Sequence, residues 1–271
     1  MITPRGTVLK ITASTPTEGV KAEVIAKSKL AQYRWCIKDM NGKEVCSGSE
    51  YGDGCQISMQ TVFDAEMWTL DHPILDLLDV EGDEKYLYLN GYPFYMRGYI
   101  RGCTAHEHEN LCGLEPKEFY RKNIRMAKKY GFNAIRFHST IPPRECFEVA
   151  DEEGIVIHIE MRAENEEYEN LTEMLYGKND FVSDEELIEI IHTLYNHPSF
   201  MVYCVGNEIR EPGKKPRIKE IRDFIKKHDP TRLFIDTCAH GEYDRDYVDF
   251  DVQHMGYFFP YGKHKDMFSD T

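Results

Sequence analysis

Apolar and polar positions change rhythm once along this chain, near residue 82. Before that point the runs GVKAEVIAKS, YRWCIKDMNGKEVCS and GCQISMQTVF are short, alternating or rich in β-forming residues, and turn residues separate them. None carries apolar residues at helical spacing over the length of a helix. The pattern predicts a small antiparallel β-sandwich over residues 1–82. Asn41-Gly42 suits a two-residue hairpin loop. Such a loop sets residue 36 opposite 47 and puts Cys36 and Cys46 on opposite faces of the ladder.

After residue 82, KYLYLNGYPFYMRGYIRG holds a second turn pair, Asn90-Gly91, between aromatic-rich strands. Helices and apolar runs then alternate. Pro116 to Tyr130 predicts a helix with Tyr120, Ile124 and Ala127 on one face and Gly131 at its C-terminal cap. Residues 132–137 form a short buried run. A helix over about 143–153 ends at Gly154, and 155–159 is the next run. Ser183 and Glu186 make a capping box ahead of a stripe of Leu187, Ile190, Ile191 and Leu194. Further strands are expected at 200–205, 233–237 and 250–255, with a helix over 217–227. Strand and helix at this spacing predict a parallel sheet of six strands, starting near Tyr95.

Five of these apolar runs end in polar residues. Arg136 and His138 follow the second strand, Glu160 and Arg162 the third, Asn207 and Glu208 the fourth. His240 follows the fifth, and His254 and Tyr257 the sixth. In a parallel α/β barrel the C-terminal strand ends carry the active residues, so the repetition predicts one shared cleft. Plainer readings stand beside it: Glu208 as a buried ion-pair partner of Arg136, Asn207 as a turn former, His254 and Tyr257 as core packing.

Charge and cysteine usage narrow the picture. With 47 acidic and 33 basic residues the formal charge is −14, which argues against nucleic acid as a partner and suits a neutral ligand. No apolar run approaches the roughly 20 residues of a membrane-spanning helix, so no membrane role is expected. The start, MITPRGTVLK, lacks the apolar core of a signal peptide. The eight cysteines form no CxxC pair and no zinc spacing, and all are expected reduced. No cofactor and no metal are expected.

HPSFMVYCVGNE resembles the signature of glycoside hydrolase family 2, the β-galactosidase, β-glucuronidase and β-mannosidase group. LYLNGYPFYMRG is similar to that family's entry into its first barrel strand, and YGFNAIRFHSTIPP to its second. WTLDHP is similar to the element closing its immunoglobulin-like domain. Four motifs in family order imply an immunoglobulin-like β-sandwich over 1–82 and an α/β TIM barrel, (β/α)8, over 83–271. The resemblance implies retaining hydrolysis of a β-linked glycoside with a carbohydrate substrate. Glu208 would be the general acid/base, Asn207 would hold the sugar 2-hydroxyl, and Arg136 would orient the nucleophile. An apolar strand and a nearby carboxylate would raise the pKa of Glu208. His138, Glu160, His254 and Tyr257 complete the expected substrate-binding set.

The chain also departs from the family pattern. The family reads Ser-His where this chain has His138-Ser139, and a magnesium-type Glu-x-His pair is replaced by Glu164-Asn165-Glu166. His106 and His108 sit in an enlarged loop and are not assigned a metal. The family's nucleophile lies on the seventh strand, and residues 85–271 fall short of the roughly 250 of a complete barrel. The barrel is therefore expected to be truncated after strand six, with the nucleophile beyond this chain. The isolated chain is then expected to be inactive or weak. A homo-oligomer or a missing C-terminal segment would cover the open side. The alternative is a non-catalytic carbohydrate-binding or interaction protein built on the same fold.

Overall fold

Among the described residues, every strand pairing before residue 95 is antiparallel and every pairing after it is parallel. The computed structural model describes residues 7–13, 20–26, 33–38, 44–50, 60–62, 69–71, 80–82, 87–89, 92–102, 113–164, 169, 172–173, 177–238, 245–252 and 254. Strands β1 (Thr7–Ala13), β2 (Val20–Ala26), β3 (Tyr33–Lys38), β4 (Glu44–Glu50) and β5 (Gln60–Val62) make two sheets, β1-β2-β5 and β3-β4. Cys36 pairs with Ser47 and Ile37 with Cys46, the offset that an Asn41-Gly42 turn predicts. A third sheet joins β6 (Val80–Gly82), β7 (Leu87–Leu89) and β8 (Tyr92–Phe94), with Leu89 opposite Tyr92.

The alternating half follows as β9 (Gly98–Arg101), α1 (Pro116–Lys129), β10 (Ala134–Phe137), α2 (Arg144–Glu153) and β11 (Val156–Glu160). It continues with α3 (Asp184–Leu194), β12 (Phe200–Asn207), α4 (Pro216–His228) and β13 (Leu233–Cys238). The five strands lie side by side in chain order as one parallel sheet. Local chemistry explains the helix ends. Pro116 opens α1, where its missing N–H costs nothing. Gly154 ends α2 in the left-handed region at φ +71. The Ser183 side chain accepts from the Glu186 N–H while Glu186 reaches back to Ser183, so α3 begins on a full capping box.

The period-two alternation of the strands sorts two cores. Ile135, Phe137, Ile157, Ile159, Tyr203, Val205 and Phe234 pack with the buried faces of all four helices. Ala134, Val156, Val202, Cys204, Leu233 and Ile235 face the other way and pack with Leu89, with Leu70, Leu87 and Phe94 against them. Fully burying one such aliphatic or aromatic side chain is worth roughly 1.5–3 kcal/mol.

Two details position the ends of this unit. Lys128 Nζ donates to the carbonyls of Leu70 (2.7 Å), Gly154 (3.1 Å) and Glu153, tying the 69–71 segment to the junction of α2 and β11. At the other side the expected sixth strand differs from the sequence reading. Residues 250–252 and 254 form no strand. The Asp249 N–H donates to Phe234 O (2.9 Å), but the Phe234 N–H donates to Asp249 Oδ2 (2.7 Å), so a side chain takes the amide a next strand would use. Arg245 pairs with both Asp236 and Asp251 and holds this segment in a folded-back loop.

Candidate active site

β10, β11 and β12 end next to one another, and their register sets which side chains meet. Arg136 lies opposite His158, and Glu160 opposite Cys204. By parity all four share the strand face that carries no helices. Arg136 Nε donates to Glu160 Oε1 at 2.5 Å, and its Nη2 donates to Asn207 Oδ1 at 2.6 Å. Ser139, in the left-handed region at φ 50, donates its N–H to Glu160 Oε2 at 2.6 Å. Glu160 is fully buried, and a buried charge persists only when paired and hydrogen-bonded, as here.

Glu208 follows Asn207 at the tip of β12. Its backbone sits at φ 49, a region that costs a residue with a Cβ on the order of 1 kcal/mol or more. Neighbours on both sides hold it there: Arg136 grips Asn207, and the Ile209 N–H donates to Thr237 Oγ1 at 2.8 Å. Gly206 just before is needed for space, since a Cβ there would come within 2.9 Å of Ala163 Cβ. The Glu208 carboxylate is buried and meets His254 Nδ1 at 2.8 Å.

Two further histidines border this row. His138 contacts Ser139 Oγ through Nδ1 at 3.0 Å. Burial lowers its pKa, Glu160 and Glu208 oppose that, and Arg136 adds to it. His158 is pushed down to about 4, mainly by burial, so it is neutral near pH 7. His158, Glu160 and Cys204 place one donor atom each within 4.8 Å of one another. They suit a cation poorly, because both Glu160 oxygens serve Arg136 and Ser139 and a guanidinium stands alongside.

Arg136, Glu160 and Asn207 are thus brought into one hydrogen-bonded row, and Glu208 is joined to His254. Arg162 is not part of it: its guanidinium turns to Asp180 (3.1 Å) and Glu186 (2.6 Å) at the start of α3. His240 and Tyr257 lie outside the described residues. Reading only strand ends passed over His158 and Cys204. Their signal was parity: His158 stands two residues before Glu160 on a strand, hence on the same face.

A sequence model of the family described as "Glycosyl hydrolases family 2, TIM barrel domain" matches residues 80–265. The chain belongs to glycosyl hydrolase family 2. Within the family it is similar to a beta-glucuronidase of Bacteroides fragilis, 28% identical over 159 residues, which cover 55% of this chain and 21% of that protein. It is also similar to a beta-galactosidase of Leuconostoc mesenteroides, 27% identical over 172 residues, covering 62% of this chain and 16% of that protein. The solved beta-glucuronidase of Parabacteroides merdae superposes with a TM-score of 0.69 at 18% identity, over 91% of this chain and 34% of that one. Beta-glucuronidase 3 of Bacteroides uniformis gives 0.68 at 19%, over 90% and 34%. The five-stranded parallel sheet is therefore part of a family 2 TIM barrel. The chain spans about a fifth of the length of the curated relatives it matches.

Proposed function

We propose that this family 2 chain carries the acid/base part of a retaining β-glycosidase, with Glu208 as the general acid/base. The observation that carries the reading is the tip of β12, where Asn207 and Glu208 stand together and Arg136 donates to both Asn207 and Glu160. Relatives named beta-glucuronidase and beta-galactosidase support β-linked glycosides as substrates. On this reading Asn207 accepts from Arg136 through Oδ1, which orients its amide for the sugar 2-hydroxyl. His138 and Tyr257 belong to the proposed sugar-lining set, and an immunoglobulin-like module over 1–82 ahead of the barrel belongs to the same proposal.

The chemistry runs in two steps. Glu208 protonates the glycosidic oxygen as its bond to the sugar breaks, while a second carboxylate captures the anomeric carbon. Glu208, now ionised, takes a proton from the water that releases the sugar. Glu160 does not suit the nucleophile: it is fully buried and both oxygens are engaged, whereas the attacking group must reach the sugar. Its role is to set Arg136, and the nucleophile is sought elsewhere in the protein as its whole gene encodes it.

The test is turnover of nitrophenyl β-glycosides by that whole protein and by its Glu208→Gln variant. Loss of about 10²–10⁴-fold is expected on substrates with poor leaving groups, and less on those needing little protonation. Undiminished turnover in the variant removes Glu208 from the mechanism. Sugar binding without turnover in either protein favours a non-catalytic carbohydrate-binding role.

A further inference from the structure

We infer that His254 is the positioning residue for Glu208, its Nδ1–H donating to Oε1 so that the acid proton is carried on Oε2. The inference rests on Glu208 being the acid/base and adds a partner that this role alone does not require. The backbone around Glu208 is held on both sides, by the Arg136–Asn207 bond and by the Ile209–Thr237 bond. What those bonds leave open is the direction of the side chain. The 2.8 Å contact with His254 settles it, and burial of both groups strengthens the contact, with side chains only 9% and 20% exposed.

A carboxyl group has two oxygens of equal basicity, and an acid catalyst needs its proton on the one that meets the leaving group. A donor on Oε1 breaks that equality. As the acid acts, the Oε2–H bond breaks, the proton joins the glycosidic oxygen, and the C–O bonding pair leaves with the aglycone. The carboxylate left behind keeps the His254 N–H on Oε1. In the second step the attacking water gives its proton back to the carboxylate, and His254 neither gains nor loses one. Among the described residues, the ionisable groups near the pair are Arg136 on β10 and His138 just after it, with His158 and Glu160 on β11. Asp236 on β13 is turned to Arg245 and Tyr247.

The experiment compares wild type, His254→Phe, His254→Gln and His254→Asn in the whole protein. Infrared difference spectra against Glu208→Gln isolate the Glu208 carboxyl band and give its titration midpoint with or without turnover. Losing a donor to the ionised form should move that midpoint up by about one pH unit in His254→Phe. His254→Gln, whose amide reaches a bond further, serves as the second loss variant. His254→Asn places an amide N–H near the Nδ1 position and should restore the wild-type midpoint. The descending basic limb of kcat/KM should follow the same order, with kcat on poor leaving groups falling about tenfold in the loss variants. An unmoved or lowered midpoint in both loss variants overturns the role of His254 while leaving Glu208 as the acid. A moved midpoint with full turnover in Glu208→Gln sinks the acid/base reading instead.

Discussion

His158 and Glu208 show what single residues cost this fold. His158 is neutral in the folded protein down to about pH 4, whereas an unfolded histidine takes its proton near 6.5. The unfolded chain therefore binds more protons throughout that window. Stability from this residue is complete above 6.5 and lost as pH falls towards 4, by roughly 3 kcal/mol at most. Urea midpoints near neutral pH and near pH 4 should differ less in His158→Gln than in wild type. Glu208 is a different case, because its left-handed backbone favours Asn or Gly. Glu208→Asn should raise the thermal midpoint, by an amount equivalent to about 1 kcal/mol, while removing the carboxyl group. A lower midpoint would mean that the His254 contact outweighs the backbone strain.

At the scale of elements, caps explain more than propensities do. Glu186 serves three partners, the Ser183 N–H at the start of its own helix, Arg162 and Lys178, so the α3 terminus also anchors the end of β11. Ser183→Ala should cost about 1 kcal/mol in chemical denaturation. A loss within error would show that Glu186, through the Ser183 N–H and Arg162, holds the helix start without the hydroxyl. These signals were legible in the sequence because each is local: Pro116, Gly154 and the Ser183–Glu186 spacing act within a few residues. Parallel pairing was legible from the alternation of helices and apolar runs. The course of residues 245–252 was not. Asp249 has the composition of any loop residue, and only the fold shows its side chain on the Phe234 amide. Likewise Arg162 reads as a strand-end charge like Arg136, and only the position of α3 decides that it turns away. The His254–Glu208 contact joins residues 46 positions apart, which no spacing rule connects.

At the largest scale, the described residues give five parallel strands as an arc of the barrel, and Ile100 on β9, the outer strand among them, is 60% exposed. Apolar surface at an outer strand favours association, so light scattering should find the 271-residue chain larger than a monomer. A stable monomer would count against this. At the opposite end of the strands, Lys128 holds the Leu70, Glu153 and Gly154 carbonyls from a partly buried site where desolvation lowers its pKa. Lys128→Met leaves those carbonyls without their donor and should cost about 1–3 kcal/mol. Limited proteolysis near residue 70 should speed up in that variant, and an unchanged cleavage rate would assign the anchoring to Gly154 packing instead. The knot at Leu70 stands a full strand length away from Glu208. Changes made around that knot are therefore felt at one pole of the sheet, and the chemistry at the far pole need not accommodate them.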